Sequence, residues 1–171
     1  HPLFIQREDE KSLRRMQKIV GIFDPFGNAL GRENLADVIG LDEVGQFVIT
    51  DIGMESLGAI TSLKKLNLWR VQISDTGAMA LAPLTNLQWL NLDNTKLSDA
   101  GLPTLKNMTQ LTFLHIGSTQ ITDVGAPALF HLKSLKDLKI TRTALAASEP
   151  ALAELKKNLP TTAIQTEYEG Q

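Results

Sequence analysis

Apolar residues recur along this chain at a fixed spacing of 24 residues. Leu63, Leu87, Leu111, Leu135 and Leu159 fall in one column, and Leu66, Leu90, Leu114 and Leu138 in a second. Leu68, Leu92, Ile116, Ile140 and Ile164 form a third, and Ile49, Ile73, Leu97, Ile121 and Leu145 a fourth. Leu57, Leu81, Leu105 and Leu129 follow. Two polar columns keep the same register: Asp51, Asp75, Asp99 and Asp123, then Gly53, Gly77, Gly101 and Gly125. A constant internal period of this length marks a repeat architecture, in which each unit is one supersecondary element.

The pattern inside a unit predicts its elements. Leu87-x-x-Leu90-x-Leu92 ends in the alternate spacing of a short strand with one buried face. Leu97 then closes the turn inward. Ser98 and Asp99 read as a helix start: the hydroxyl accepts from a free N–H of the first turn, and the carboxylate suits the positive end of the helix. Leu102, Leu105 and Met108 recur every three residues, as on one face of a short helix. A single unit cannot bury its apolar face, so units must stack and share a core and strand hydrogen bonds. Stacking places the strands side by side in a parallel sheet with the helices opposite. Helices are wider than strands, so the stack bends and the sheet lines the concave side.

The residues then resemble a known family. LQWLNLDNTKLSDAGLPTLKNMTQ (87–110) and LTFLHIGSTQITDVGAPALFHLKS (111–134) resemble leucine-rich repeats. They are similar to the 24-residue bacterial class with the pattern LxxLxLxxTxITDxGLxxLxxLxx, and GAMALA (77–82) resembles the GALA-type repeats of bacterial effectors. The resemblance covers roughly residues 39–164. It implies an α/β fold, a right-handed leucine-rich-repeat solenoid or horseshoe with a parallel concave sheet and short convex helices. It also implies protein–protein recognition, with no catalytic residues carried over.

Departures from the pattern mark the ends. Val71 stands where later units have Thr95, Thr119 and Thr143. The fifth unit lacks the Ser/Thr-Asp-x-Gly run, reading Ala146-Ala147-Ser148-Glu149-Pro150, and Thr162 replaces an expected Leu. Ile39, Leu41 and Val44 fit the first unit only with a bulge or shift. Residues 1–38 do not repeat and form an expected N-terminal capping segment, helix plus short strand, with Leu13, Met16 and Val20 on one helix face. An arm that docks on a partner is the other reading of that segment. About five repeats then span 39–158, and 159–171 form a C-terminal cap and polar tail.

Composition narrows the function. At 171 residues the chain is long enough for one domain with a real core. A net charge of −2, with acids and bases interspersed, lacks the basic field that nucleic-acid binding needs. No apolar run approaches a membrane span. With no cysteine, disulfides and thiolate chemistry are excluded. The start at His1 rather than Met and the bacterial type of repeat lean toward a secreted or cell-envelope protein.

Candidate chemistry lies on the sheet face, in the residues between the core leucines. One column reads Lys65, Trp89, Phe113, Asp137; the next Asn67, Asn91, His115, Lys139; then Trp69, Asp93, Gly117, Thr141; and last Arg70, Asn94, Ser118, Arg142. Trp89 and Phe113 are thus expected on adjacent strands about 4.8 Å apart, with Trp69 on the neighbouring strand. Aromatics with nearby arginines are the residue types of binding hot spots; a cross-strand ladder that only stiffens the sheet is the other reading. The Asp column fits helix capping better than calcium, which needs six to eight converging oxygens. The histidines share no metal-ligand spacing, and His115 beside Asp93 or Asp137 has no accompanying nucleophile.

The expectation is a non-catalytic module without cofactor or metal, a monomer that binds a partner protein or peptide through Trp69, Trp89, Phe113, His115, Arg70, Arg142 and Lys139. A self-associating structural module, and an adaptor fragment of a larger effector or ligase, are the alternatives.

Overall fold

The computed structural model describes residues 39–41, 47–49, 51–59 and 61–168. The expected capping segment 1–38 and Val44 lie outside the described residues. The first described elements, β1 (Ile39–Leu41) and β2 (Phe47–Ile49), pair antiparallel as a two-stranded sheet of their own. The irregular first unit therefore supplies a hairpin, not a strand of the parallel sheet.

Five three-residue strands follow: β3 (Lys65–Asn67), β4 (Trp89–Asn91), β5 (Phe113–His115), β6 (Asp137–Lys139) and β7 (Ala163–Gln165). They form one parallel sheet in chain order. Leu66, Leu90, Leu114 and Leu138 lie opposite one another across it and are fully buried. This packing is the shared core that a lone unit lacks.

The last strand corrects the expected register. Ile164 pairs with Leu138, so it belongs to the Leu66 column and not to the Leu68 column. The reason is length. The final helix, Glu149–Asn158, has 10 residues, and β7 arrives 26 residues after β6. It also places a fifth strand within residues expected to be cap and tail.

The opposite side carries short helices: α1 (Asp51–Gly58), α2 (Asp75–Met79), a 3-10 helix (Leu102–Asn107), a 3-10 turn (Asp123–Gly125) running into α3 (Ala126–Leu129), a second 3-10 turn (Leu145–Ala147) and α4 (Glu149–Asn158). Each packs on its neighbours along the stack. The three-residue recurrence of Leu102, Leu105 and Met108 is met by 3-10 geometry in this unit, because residues three apart eclipse in that helix.

Two backbone devices act where the chain turns toward the helix side, one after β3 and β4 and one after β3 to β6. The Asn67 and Asn91 side-chain oxygens accept from the N–H of Trp69 and Asp93, a local turn-forming bond. The next residue then takes the left-handed conformation: Arg70, Asn94, Ser118 and Arg142 have φ of 60°, 57°, 50° and 56°. The N–H groups of Arg70, Asn94 and Ser118 donate to the carbonyls of Asp93, Gly117 and Thr141 in the following unit. Ser118→Gly should raise stability by about 1 kcal/mol, because the left-handed cost at a Cβ exceeds the added freedom of an unfolded glycine. Urea denaturation checks the sign, and a loss of stability would refute the strain. Beyond the turn, Thr95, Thr119 and Thr143 donate their hydroxyls to the carbonyls of Leu92, Ile116 and Ile140. Val71 has no hydroxyl to do so.

The Ser/Thr-Asp-x-Gly run works between units. Ser74 and Thr122 cap their helical turns, accepting from the N–H of Thr76 and Val124. The Asp carboxylate, expected at the end of its own helix, bonds to the next unit. Asp51, Asp75 and Asp99 accept from the N–H of Ser74, Ser98 and Thr122 at 3.1, 2.8 and 2.8 Å. They also accept from those three hydroxyls. The glycines leave room for this clamp: a Cβ at Gly77, Gly101 or Gly125 would run into Oδ1 of Asp51, Asp75 or Asp99. The clamp stops at the fifth unit, where Ala146 stands in the hydroxyl position.

Candidate functional site

The parallel sheet presents its alternate residues on the face away from the leucine core. Trp89 and Phe113 lie opposite each other across β4 and β5. Their rings stack with centroids 4.9 Å apart and planes within 5°. The parallel register produces this contact, since each residue has its counterpart one strand spacing away. The stack is closed by cations at both ends: Lys65 Nζ lies 5.9 Å from the Trp89 ring centroid and Lys139 Nζ 5.8 Å from that of Phe113. Both rings are half-buried. Their outer faces meet ammonium groups at the distance where ring quadrupole and charge attract.

Trp69 does not join this stack. It follows the end of β3, two columns away, and is 43% exposed. Arg70 lies over its ring at 5.4 Å. Arg142, at the other end of the sheet, lies 4.7 Å from the ring of Tyr168. Tyr168 is 66% exposed. The sequence pattern gives it only a place in the polar tail, and its position beside the sheet follows from the two-residue extension before β7.

His115 lies between these groups. Its Nε2 is 3.7 Å from Asp93 Oδ1, and both side chains are only 14% exposed. That separation is too long for a hydrogen bond, and Nε2 has no hydrogen-bonding partner. Burial pushes the His115 pKa below its ordinary value of 6.5; Asp93 opposes this and Lys139 adds to it. The unfolded chain therefore binds a proton that the folded protein resists. Stability should fall as pH drops from about 6.5 toward the depressed folded value, and hold constant below it. His115→Gln should decline less between about pH 7.5 and pH 5. Thermal melts across that range check it; equal slopes would contradict it.

Gly117 also belongs to the site, a place that its column in the sequence does not signal. A Cβ there would meet Thr141 Oγ1, Asp93 Oδ1 and His115 Nε2 within 3 Å. Its absence lets these three side chains converge. Beside them lies an open hollow of about 160 Å³ lined by His115, Lys139, Thr141, Gln165 and Tyr168. The seven residues expected to bind a partner thus fall into three places: Trp69 and Arg70 at the first turn, Trp89 and Phe113 in the centre, and His115, Lys139 and Arg142 toward the last strands. Lys139 alone belongs to two of them.

The family description Leucine Rich repeats (2 copies) matches residues 85–128, and Leucine Rich repeat matches residues 59–82. The stacked parallel strands cover both matched segments. The chain carries leucine-rich repeats. A solved structure shares this fold, and two others align with lower scores. An internalin (inlF) from Listeria monocytogenes aligns with TM-score 0.53 and 24% identity, over 72% of this chain and 39% of that one. This chain therefore spans about two fifths of the length of that internalin. Internalin C2 (inlC2) from the same organism aligns at 20% identity and TM-score 0.42, over 87% of this chain and 84% of that one. A PEPR1–AtPEP1 structure aligns at 17% identity and TM-score 0.46, over 97% and 25%. No curated protein matches the chain.

Among the described residues, no group of three or more His, Asp or Glu is placed to hold a metal ion. Asp51, Asp75 and Asp99 are engaged between units. No helix among the described residues is long and apolar enough to cross a membrane.

Proposed function

We propose that the protein is a non-catalytic recognition module that holds a partner protein or peptide on its parallel-sheet face. The observation that carries this reading is the Trp89–Phe113 stack, a half-buried aromatic pair on solvent-facing positions with Lys65 over one ring and Lys139, from the next column, over the other. Large aromatic rings, well packed and ringed by other side chains, are among the groups that dominate binding energies. They are also fixed before binding: the stack and the cation contacts restrict the rotamers, so little ordering cost remains for complex formation. The leucine core and the inter-unit clamps hold the strands beneath them rigid. Trp69 and Arg70, and Arg142 with Tyr168, form the two ends of the same surface.

The Trp89→Ala/Phe113→Ala double variant tests the reading. Partner capture from the native organism, with the retained protein identified by mass spectrometry, is expected to weaken by about 100-fold or more, as for loss of two hot-spot residues. The variant should still unfold cooperatively, because Leu90 and Leu114 beneath the pair are untouched. A folded double variant that retains the same partner at the same strength would overturn the proposal.

A further inference from the structure

The hollow beside β6 and β7 is separate from the aromatic row, yet it shares Lys139 with it. Lys139 is the one ammonium or guanidinium among the residues that line it; His115, Thr141, Gln165 and Tyr168 complete the wall. Thr141, Gln165 and Tyr168 bring neutral groups able to donate hydrogen bonds. Arg142 stacks on Tyr168 at 4.7 Å and adds a second positive charge at the rim. The carboxylate of Asp93 faces His115 in that wall. The site is thus a small polar cradle with net positive charge and an imidazole whose Nε2 has no partner.

We propose that this hollow is a subsite for a carboxylate of the bound partner, an acidic side chain or a C-terminus, held by Lys139 and the neutral donors Gln165, Tyr168 and Thr141. The proposal rests on the reading that the sheet face holds a protein or peptide. A monoanion matches the one cation in the wall. A phosphate dianion would bring a second charge near Asp93, which lies against His115 of the wall.

The arrangement makes binding proton-linked. The groups facing His115 are Asp93 from the turn after β4, Lys139 from β6 and Tyr168 beyond β7. An incoming carboxylate screens Lys139 and sets a second negative charge near the imidazole, so both changes favour the imidazolium. The ligand therefore draws a proton onto His115, and it binds more tightly below neutral pH.

The test uses the full chain labelled at histidine nitrogen and observed by NMR. N-acetylglycine supplies a terminal carboxylate, and N-acetylglutamate α-methylamide supplies a side-chain carboxylate. N-acetylglycinamide and inorganic phosphate are the controls. At least one carboxylate should shift the His115 signals saturably and raise the pH at which they titrate, while exposed His131 stays unmoved. The responding carboxylate tells a terminus from a side chain. Lys139→Gln should weaken this binding by about tenfold or more, and Lys139→Arg should restore most of it. No saturable shift, an equal shift with the amide or with phosphate, or an unchanged response in Lys139→Gln would each overturn the subsite. These probes need no partner, so the two readings fail separately. Silent His115 signals with capture still lost in the Trp89/Phe113 variant remove the subsite alone. A carboxylate response with capture intact in that variant removes the aromatic row instead.

Discussion

Replacing Gly101 by alanine is expected to lower stability by about 2–4 kcal/mol, the sum of a steric insertion and a damaged charged hydrogen bond. The backbone argues for the opposite sign. Gly101 has φ −84° and ψ −21°, which alanine adopts freely, and such a change ordinarily stabilises by about 0.4–1 kcal/mol through the unfolded state. The clash decides the outcome. The new Cβ would run into Asp75 Oδ1 and Leu97 Cδ1. The carboxylate it displaces accepts from both the N–H and the hydroxyl of Ser98. Asp75→Ala alone should cost about 1.5–3 kcal/mol, since two donors lose a charged acceptor. In that background Gly101→Ala loses part of its obstacle, so the two effects should fall short of additive by about 1 kcal/mol or more. Urea denaturation of the four proteins gives the cycle. A neutral or stabilising Gly101→Ala would remove the clamp as the reason for the Asp and Gly columns.

The second large effect concerns the core register. Leu114→Ala should cost about 3–5 kcal/mol, the range for a fully buried leucine whose neighbours cannot collapse. Leu114 is completely buried and flanked in the sheet by Leu90 and Leu138, also completely buried. Ile164→Ala, in the same column at the last strand, should cost about 1–2 kcal/mol, because that side chain is only half-buried and leaves a smaller cavity. Chemical denaturation of both variants checks the contrast. Equal losses would mean that the stack continues past β7 or that Ile164 sits in another column.

The places where sequence and structure part have particular causes. The 24-residue period placed Trp89 beside Phe113 and His115 beside Lys139 as the observed pairing does. The same period misplaced Ile164, because it assumes equal units and α4 lengthens the last one. It also expected an irregular repeat at residues 39–49, where two strands pair antiparallel. Trp69 fell in its column, but the strand ends before it, so it meets Arg70 and not the stacked rings. Tyr168 sits outside any repeat and gave no signal that would bring it to Arg142. Gly117 was only a gap in a column until the side chains around it were placed.

Which side chains leave water was written in the residue order. Burial follows the alternation of a strand and the spacing of a turn, and both are local. The sequence therefore determined the repeat, the leucine columns and the set of residues facing outward. The tertiary structure alone decided what those residues do to one another. The Asp clamps join atoms 23 residues apart, and the His115 hollow gathers groups from three units. Hydrogen bonds and charges act over a few ångströms, and only the stacking of one unit on the next sets those distances.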